Sequence, residues 1–172
     1  LNSIKNNFAN IELDLKVTSD GKIYGLHAWK DVKKYSPTDI KILIQKDEKK
    51  KLVYNDLINF NKKNFFNILL EEDIVNIFKL NPNLIFFTDK INDFENINYL
   101  LKKINNKTYV EVYSLKDYLS AKRYGLKNII YSSDLSNFDM FIINLFNINN
   151  VSVSKNFIDE KKKINFILNT KH

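Results

Sequence analysis

Leu84-Ile85-Phe86-Phe87-Thr88 is a short apolar run set off on its N-terminal side by Asn81-Pro82-Asn83. Its length and its aromatic and β-branched content predict a buried strand. Residues 94–104 follow with Ile97, Leu100, Leu101 and Ile104 at helical spacing, which predicts an amphipathic helix. The same rhythm continues outward in both directions. Residues 108–114, 128–132 and 151–154 read as strands. Residues 71–80, 115–124, 138–146 and 159–168 read as helices, with Gly125 placed to cap one of them. Short apolar strands alternating with helices predict parallel α/β architecture.

The N-terminal part is less regular. Residues 11–17 and 22–28 read as strands joined by a tight turn at Ser19-Asp20-Gly21. That brings the expected strands to about six. From Trp29 to about residue 64 the sequence is polar and irregular. Ser36-Pro37-Thr38-Asp39 resembles a helix start, with proline at the first helical position. Ile40, Leu43 and Ile44 would then share a face. No linker or second domain is evident, so residues 1–172 read as a single domain.

Composition bounds the function. With 44% hydrophobic and 27% charged residues, the 172-residue chain has the make-up of a globular domain with a real core. Having no cysteine, it cannot form disulfides, zinc–thiolate sites or a thiol nucleophile. The net charge of +7 would suit anionic partners. Its lysines are scattered, however, and the runs Lys49-Lys50-Lys51 and Lys161-Lys162-Lys163 sit beside Asp47, Glu48, Asp159 and Glu160. A solvated surface explains them better than a nucleic-acid stripe. No run of 18 apolar residues occurs, so no transmembrane segment is expected. No signal peptide is visible, yet the chain starts at Leu1 rather than Met. Cytoplasmic, secreted and cell-surface locations all stay open, as does the oligomeric state.

Chemistry concentrates near the start. In a strand, alternate residues share a face, so Ile11-Glu12-Leu13-Asp14-Leu15 puts Glu12 and Asp14 together. Two carboxylates this close raise each other's pKa, and a hard divalent cation such as Mg²⁺ or Ca²⁺ relieves them. An edge strand with one solvated face would read the same way. On the next strand Ile23, Gly25 and His27 share a face. His27 lies at the carboxyl end, where α/β enzymes keep their sites, and Gly25 would leave room for a ligand. A lone histidine is also often structural. Further on, Tyr109, Glu111 and Tyr113 share a strand face. Glu111 there could be a ligand, a substrate contact or the partner of a nearby lysine.

These residues resemble the glycerophosphodiester phosphodiesterase family, of the phospholipase C-like barrel superfamily. The resemblance rests on Ile11-Glu12-Leu13-Asp14-Leu15, then Thr18-Ser19-Asp20-Gly21-Lys22, then Gly25-Leu26-His27-Ala28-Trp29. They match a Glu-x-Asp strand, a Thr-x-Asp-Gly turn and a strand ending in His. Leu69-Leu70-Glu71-Glu72 and Leu84 to Lys90 are similar to later motifs, the second of which supplies a further acidic ligand. The resemblance runs to about residue 155 and is specific over the first 30. It implies a (β/α)₈ TIM-type barrel, typically of ~250 residues. Here that barrel would be incomplete, a fragment or degenerate form with about six of eight strands. The first strand, with its own catalytic histidine, would be missing, because Leu1-Asn2-Ser3-Ile4 already resembles the helix that follows it, and by the same register the strand after Asp159 to His172 would be missing too.

The resemblance also implies roles. Glu12, Asp14 and Asp89 would hold one divalent cation, Mg²⁺ or Ca²⁺. His27 would be one of two acid–base histidines acting on a small-molecule phosphodiester. A neighbouring hydroxyl would attack phosphorus, and water would open the cyclic product. Trp29 and Glu111 would contact substrate. Two departures stand out: Ala28 replaces an Asp that usually follows the histidine, and Lys90 and Ile91 do not reproduce the family's Glu-x-Lys spacing after Asp89. Without the first histidine the chain alone would be weakly active or inactive. The alternative is a non-catalytic barrel that binds a phosphate-bearing ligand or serves as a scaffold.

Overall fold

In the computed structural model, residues 9–33, 37–64, 68–89, 91 and 93–153 are described. The expected helix at 159–168, the segment Leu1 to Ile4, Ser36, Lys90, Ser154 and His172 lie outside them. The fold is mixed α/β, as the alternation predicted. The chain divides into two compact units, Leu1–Tyr109 and Val110–His172.

Eight strands occur among the described residues, against about six expected. The difference begins at residues 11–17. That run is two strands, β1 (Asn10–Glu12) and β2 (Leu15–Val17), which belong to different sheets. β1 lies parallel to β5 (Ile85–Thr88), with Glu12 opposite Phe87. β2 lies antiparallel to β3 (Ile23–Gly25), and β3 pairs antiparallel with a short β4 (Leu69–Leu70). The change of partner happens across Leu13 and Asp14. The Leu13 N–H donates to the Phe87 carbonyl at 3.0 Å, and the Leu26 N–H donates to the Asp14 carbonyl at 2.9 Å. Alternation has a period of two in either kind of sheet, so the switch leaves no mark on the pattern. Residues 22–28 are therefore not a parallel strand, and their carboxyl end is not that of a barrel strand.

The turn between β2 and β3 accounts for the Thr-x-Asp-Gly motif. Thr18 and Lys22 exchange backbone and side-chain hydrogen bonds, and Gly21 takes φ +78°, a region open to glycine at no steric cost. The Asp20 carboxylate accepts the N–H of Tyr54, the first residue of a helix. Gly25 proves to be a close approach of a different kind. A Cβ there would lie 3.3 Å from Leu69, so the space beside it is taken by β4 and not by a ligand.

The irregular stretch from Trp29 to residue 64 holds three helices: α1 (Trp29–Lys33), α2 (Pro37–Glu48) and α3 (Tyr54–Lys63). α2 starts at Pro37 as expected, and Ile40 and Leu43 are buried from it. These helices share an apolar core with Tyr24, Leu26 and Ile68. Next come α4 (Glu71–Leu80), which buries Ile74 and Phe78, and α5 (Phe94–Leu101), which buries Ile97 and Leu100. Asp93 caps α5 by accepting the Asn96 N–H.

β6 (Thr108–Val112) crosses the division between the units. In the second unit it pairs parallel with β7 (Ile129–Ser133), which pairs parallel with β8 (Val151–Val153). α6 (Leu115–Arg123) and α7 (Asn137–Leu145) connect them. Ser114 and Ser136 cap these two helices.

Candidate metal centre

Glu12, Asp14 and Asp89 each offer a carboxylate oxygen, and the three oxygens lie within 4.8 Å of one another. Two strand ends and one hydrogen bond account for the convergence. β1 delivers Glu12 opposite Phe87, and Asp89 follows two residues after Phe87 on the outgoing chain. Leu13, between Glu12 and Asp14, is pinned to Phe87 by its N–H. Both N-terminal carboxylates are thus registered against the end of β5. Glu12 is exposed, Asp14 half-buried and Asp89 buried at 7%.

Like charges at this spacing repel. Water screens much of the cost of that repulsion at exposed Glu12 and least of it at buried Asp89. A hard divalent cation removes that cost, and all-oxygen donors suit Mg²⁺ or Ca²⁺. Two oxygens on opposite sides of one Ca²⁺ stand about 4.8 Å apart, and about 4.2 Å on Mg²⁺. The three carboxylates are close enough together to offer oxygens to one divalent ion.

His27 sits just past β3, one residue beyond the Leu26–Asp14 backbone bond, and its side chain is 60% exposed. Its Nδ1 lies 2.8 Å from Oδ2 of Asp31 on α1. That contact was not foreseen, because residues 29–33 were not read as a helix. His27 precedes α1, so the helical i, i+4 rule does not reach it.

Trp29 is engaged in packing. Its indole N–H donates to Asp47 at 2.8 Å, and its ring lies 6.4 Å from that of Tyr24. Lys16 and the Tyr24 hydroxyl also meet Asp47. Burial, together with the adjacent Asp47, pushes the Tyr24 phenol well above its ordinary range. Glu111 is half-buried on β6, opposite Ile130, in a strand whose Val110 and Val112 are buried.

Glu71 and Glu72, part of the later motif, begin α4 and are spent within the fold. Glu71 is 3% exposed. It accepts the Ile23 N–H at 3.0 Å and pairs with Lys103 at 2.6 Å. Burial alone would raise its pKa, but the Lys103 ammonium and the Ile23 N–H outweigh that and hold it below the usual carboxylate range. Glu72 accepts the Tyr54 hydroxyl. One feature beside the acidic trio also escaped the sequence reading. Phe87 and Tyr109 stack, with ring centroids 5.0 Å apart and planes within 10°.

No protein-family model matches the chain, and no curated protein matches it. No helix among the described residues is long and apolar enough to cross a membrane.

Proposed function

We propose that this chain carries the divalent-cation site of a phosphodiesterase, on an incomplete (β/α)₈ barrel of the glycerophosphodiester phosphodiesterase type. One observation carries the reading: carboxylates from two distant parts of the sequence, Glu12 with Asp14 and then Asp89, come within 4.8 Å. The parallel pairs β1–β5, β6–β7 and β7–β8, with a helix after each of β5, β6 and β7, support the barrel part.

Bound to the trio, a divalent ion supplies charge neutralisation to the phosphate oxygens. The chain's own residues do the rest. Glu12, Asp14 and Asp89 would hold that ion with their carboxylate oxygens. His27, the residue after Leu26, whose N–H donates to the Asp14 carbonyl, exchanges a proton with the reacting oxygens: it takes one up at Nε2 and returns it to the leaving oxygen. An acid–base pair with one member in place works at a rate lower by about 10²–10⁴.

A second reading is binding of a phosphate-bearing ligand without turnover. Ala28, where the resembled family usually has an Asp after the histidine, favours it.

The test is thermal melting in EDTA, Mg²⁺ and Ca²⁺, beside a Glu12→Ala/Asp14→Ala variant. An ion at 100 times its Kd adds about 2.7 kcal/mol. Wild type should gain several degrees and the variant none. Equal responses from both, or a response from neither, would remove the metal centre and the reading with it. Hydrolysis of bis(p-nitrophenyl) phosphate by the ion-loaded chain then separates catalysis from binding alone.

A further inference from the structure

The His27–Asp31 contact is the closest polar contact that His27 makes among the described residues, and its setting is firmer than its exposure suggests. The carboxylate comes from α1, whose seating is fixed on either side of Asp31. Trp29 is tied to Asp47 through its indole N–H, and Val32 is fully buried. The Asp31 N–H donates to the Ala28 carbonyl at 3.1 Å, closing the helix start around the pair. Asp31 is thus presented from an anchored turn, with its carboxylate Oδ2 2.8 Å from Nδ1 of His27.

The chemistry of that contact is directional. An ionised carboxylate only accepts hydrogen bonds, so the ring nitrogen facing it must carry the proton. In neutral imidazole the other nitrogen is then the free acceptor. Nδ1 is turned to Asp31, so Nε2 is the nitrogen left for proton transfer. The hydrogen bond from His27 also holds the Asp31 carboxyl below the usual carboxylate range, and Lys30 acts in the same direction. Asp31 therefore stays an acceptor at any pH near neutral. The side chains are 60% and 48% exposed, and a pair that open contributes little to stability. Its effect is on which nitrogen of His27 is available.

We infer that Asp31 is the positioning residue for His27, holding the imidazole with its proton on Nδ1 and Nε2 presented for proton transfer. The catalytic half of this inference rests on the phosphodiesterase reading; the tautomer half does not.

Ring ¹⁵N correlation spectra of the full chain at about pH 8 decide the tautomer half. The two histidines make the spectrum simple, and His172 serves as an internal reference. Wild-type His27 should show mainly the Nδ1–H tautomer. Asp31→Ala should move it towards the Nε2–H form, Asp31→Glu should bring it back, and His172 should not change. The same His27 tautomer in wild type and Asp31→Ala would overturn the inference. The second arm is hydrolysis of bis(p-nitrophenyl) phosphate with Mg²⁺ or Ca²⁺. A positioned acid–base group contributes about 10²–10⁴-fold, and losing only its exposed orienting partner puts the expectation at about 10-fold in kcat with KM unchanged. Asp31→Ala should add nothing to His27→Ala. A tautomer switch with no change in kcat overturns the catalytic role. A wild type that hydrolyses nothing while the switch persists overturns the phosphodiesterase reading, and leaves Asp31 as an orienting partner only.

Discussion

Two buried carboxylates in the first unit, Glu71 and Asp89, are treated in opposite ways by their surroundings. Glu71, at the start of α4, meets a lysine ammonium and a backbone N–H of the antiparallel sheet. Asp89, at the end of β5, meets two more carboxylates, Glu12 and Asp14. The first arrangement is neutralised by the chain itself and ties α4 to β3. The second gathers negative charge where two parallel strands end. The first is an acid–base pair within the fold; the second brings three acids together. Burial does not distinguish the two, since both residues are below 10% exposed; the charge of their neighbours does.

The largest effect should come from Glu71→Ala. It strands Lys103 and leaves the Ile23 N–H without its acceptor. Breaking a buried pair costs about 3–5 kcal/mol, and because Lys103 is partly exposed we expect about 3. Urea unfolding measures it, and a loss under about 0.5 kcal/mol would erase the distinction between the two acids.

Acid comes next. Glu71 is held below its ordinary value of 4.5 in the folded state. Its contribution is therefore complete above about pH 4.5 and fades as pH falls through its lower folded pKa. Urea midpoints between pH 6 and pH 3 should drop less steeply in Glu71→Gln than in wild type. Parallel curves for the two proteins would show that Glu71 does not drive the acid sensitivity.

The smallest effect carries the opposite sign. Glu12→Gln removes one of three like charges at an exposed position. In EDTA it should raise stability, by about 0.5 kcal/mol given its exposure, while the gain on adding Ca²⁺ shrinks. A loss of stability in EDTA would mean that the trio behaves like Glu71, as an internal structural group.

How much of this was legible depended on the kind of pattern. The helices α4 to α7 and strands β5 to β8 follow from periodicity, because each buries one face or one stripe of apolar residues. Pro37 marked the start of α2 for a local reason, its fixed φ. α1 and α3 were not legible. They pack chiefly through Val32, Leu57, Tyr54 and Phe60 among polar neighbours, and only the tertiary core reveals which of these face inward. Glu12 and Asp14 could be paired from their spacing, and Asp89 only through a family resemblance. Asp31 could not be seen as a partner of His27 until α1 had been placed.

By itself, the sequence determined the α/β alternation, the turn at Thr18 to Lys22 and the nearness of Glu12 to Asp14. All three are local, set by side-chain period, by glycine's access to positive φ and by the two-residue repeat of an extended chain. Tertiary structure alone decided that residues 11–17 change sheets at Leu13 and Asp14, that β3 runs antiparallel, and that Asp89 closes on Glu12 and Asp14 while Glu71 turns to Lys103. Each of these depends on which strand supplies the next hydrogen-bond partner. Backbone N–H and C=O groups are the same at every position, so that choice is made by which side chains each pairing buries across the whole fold, and a local pattern does not display it.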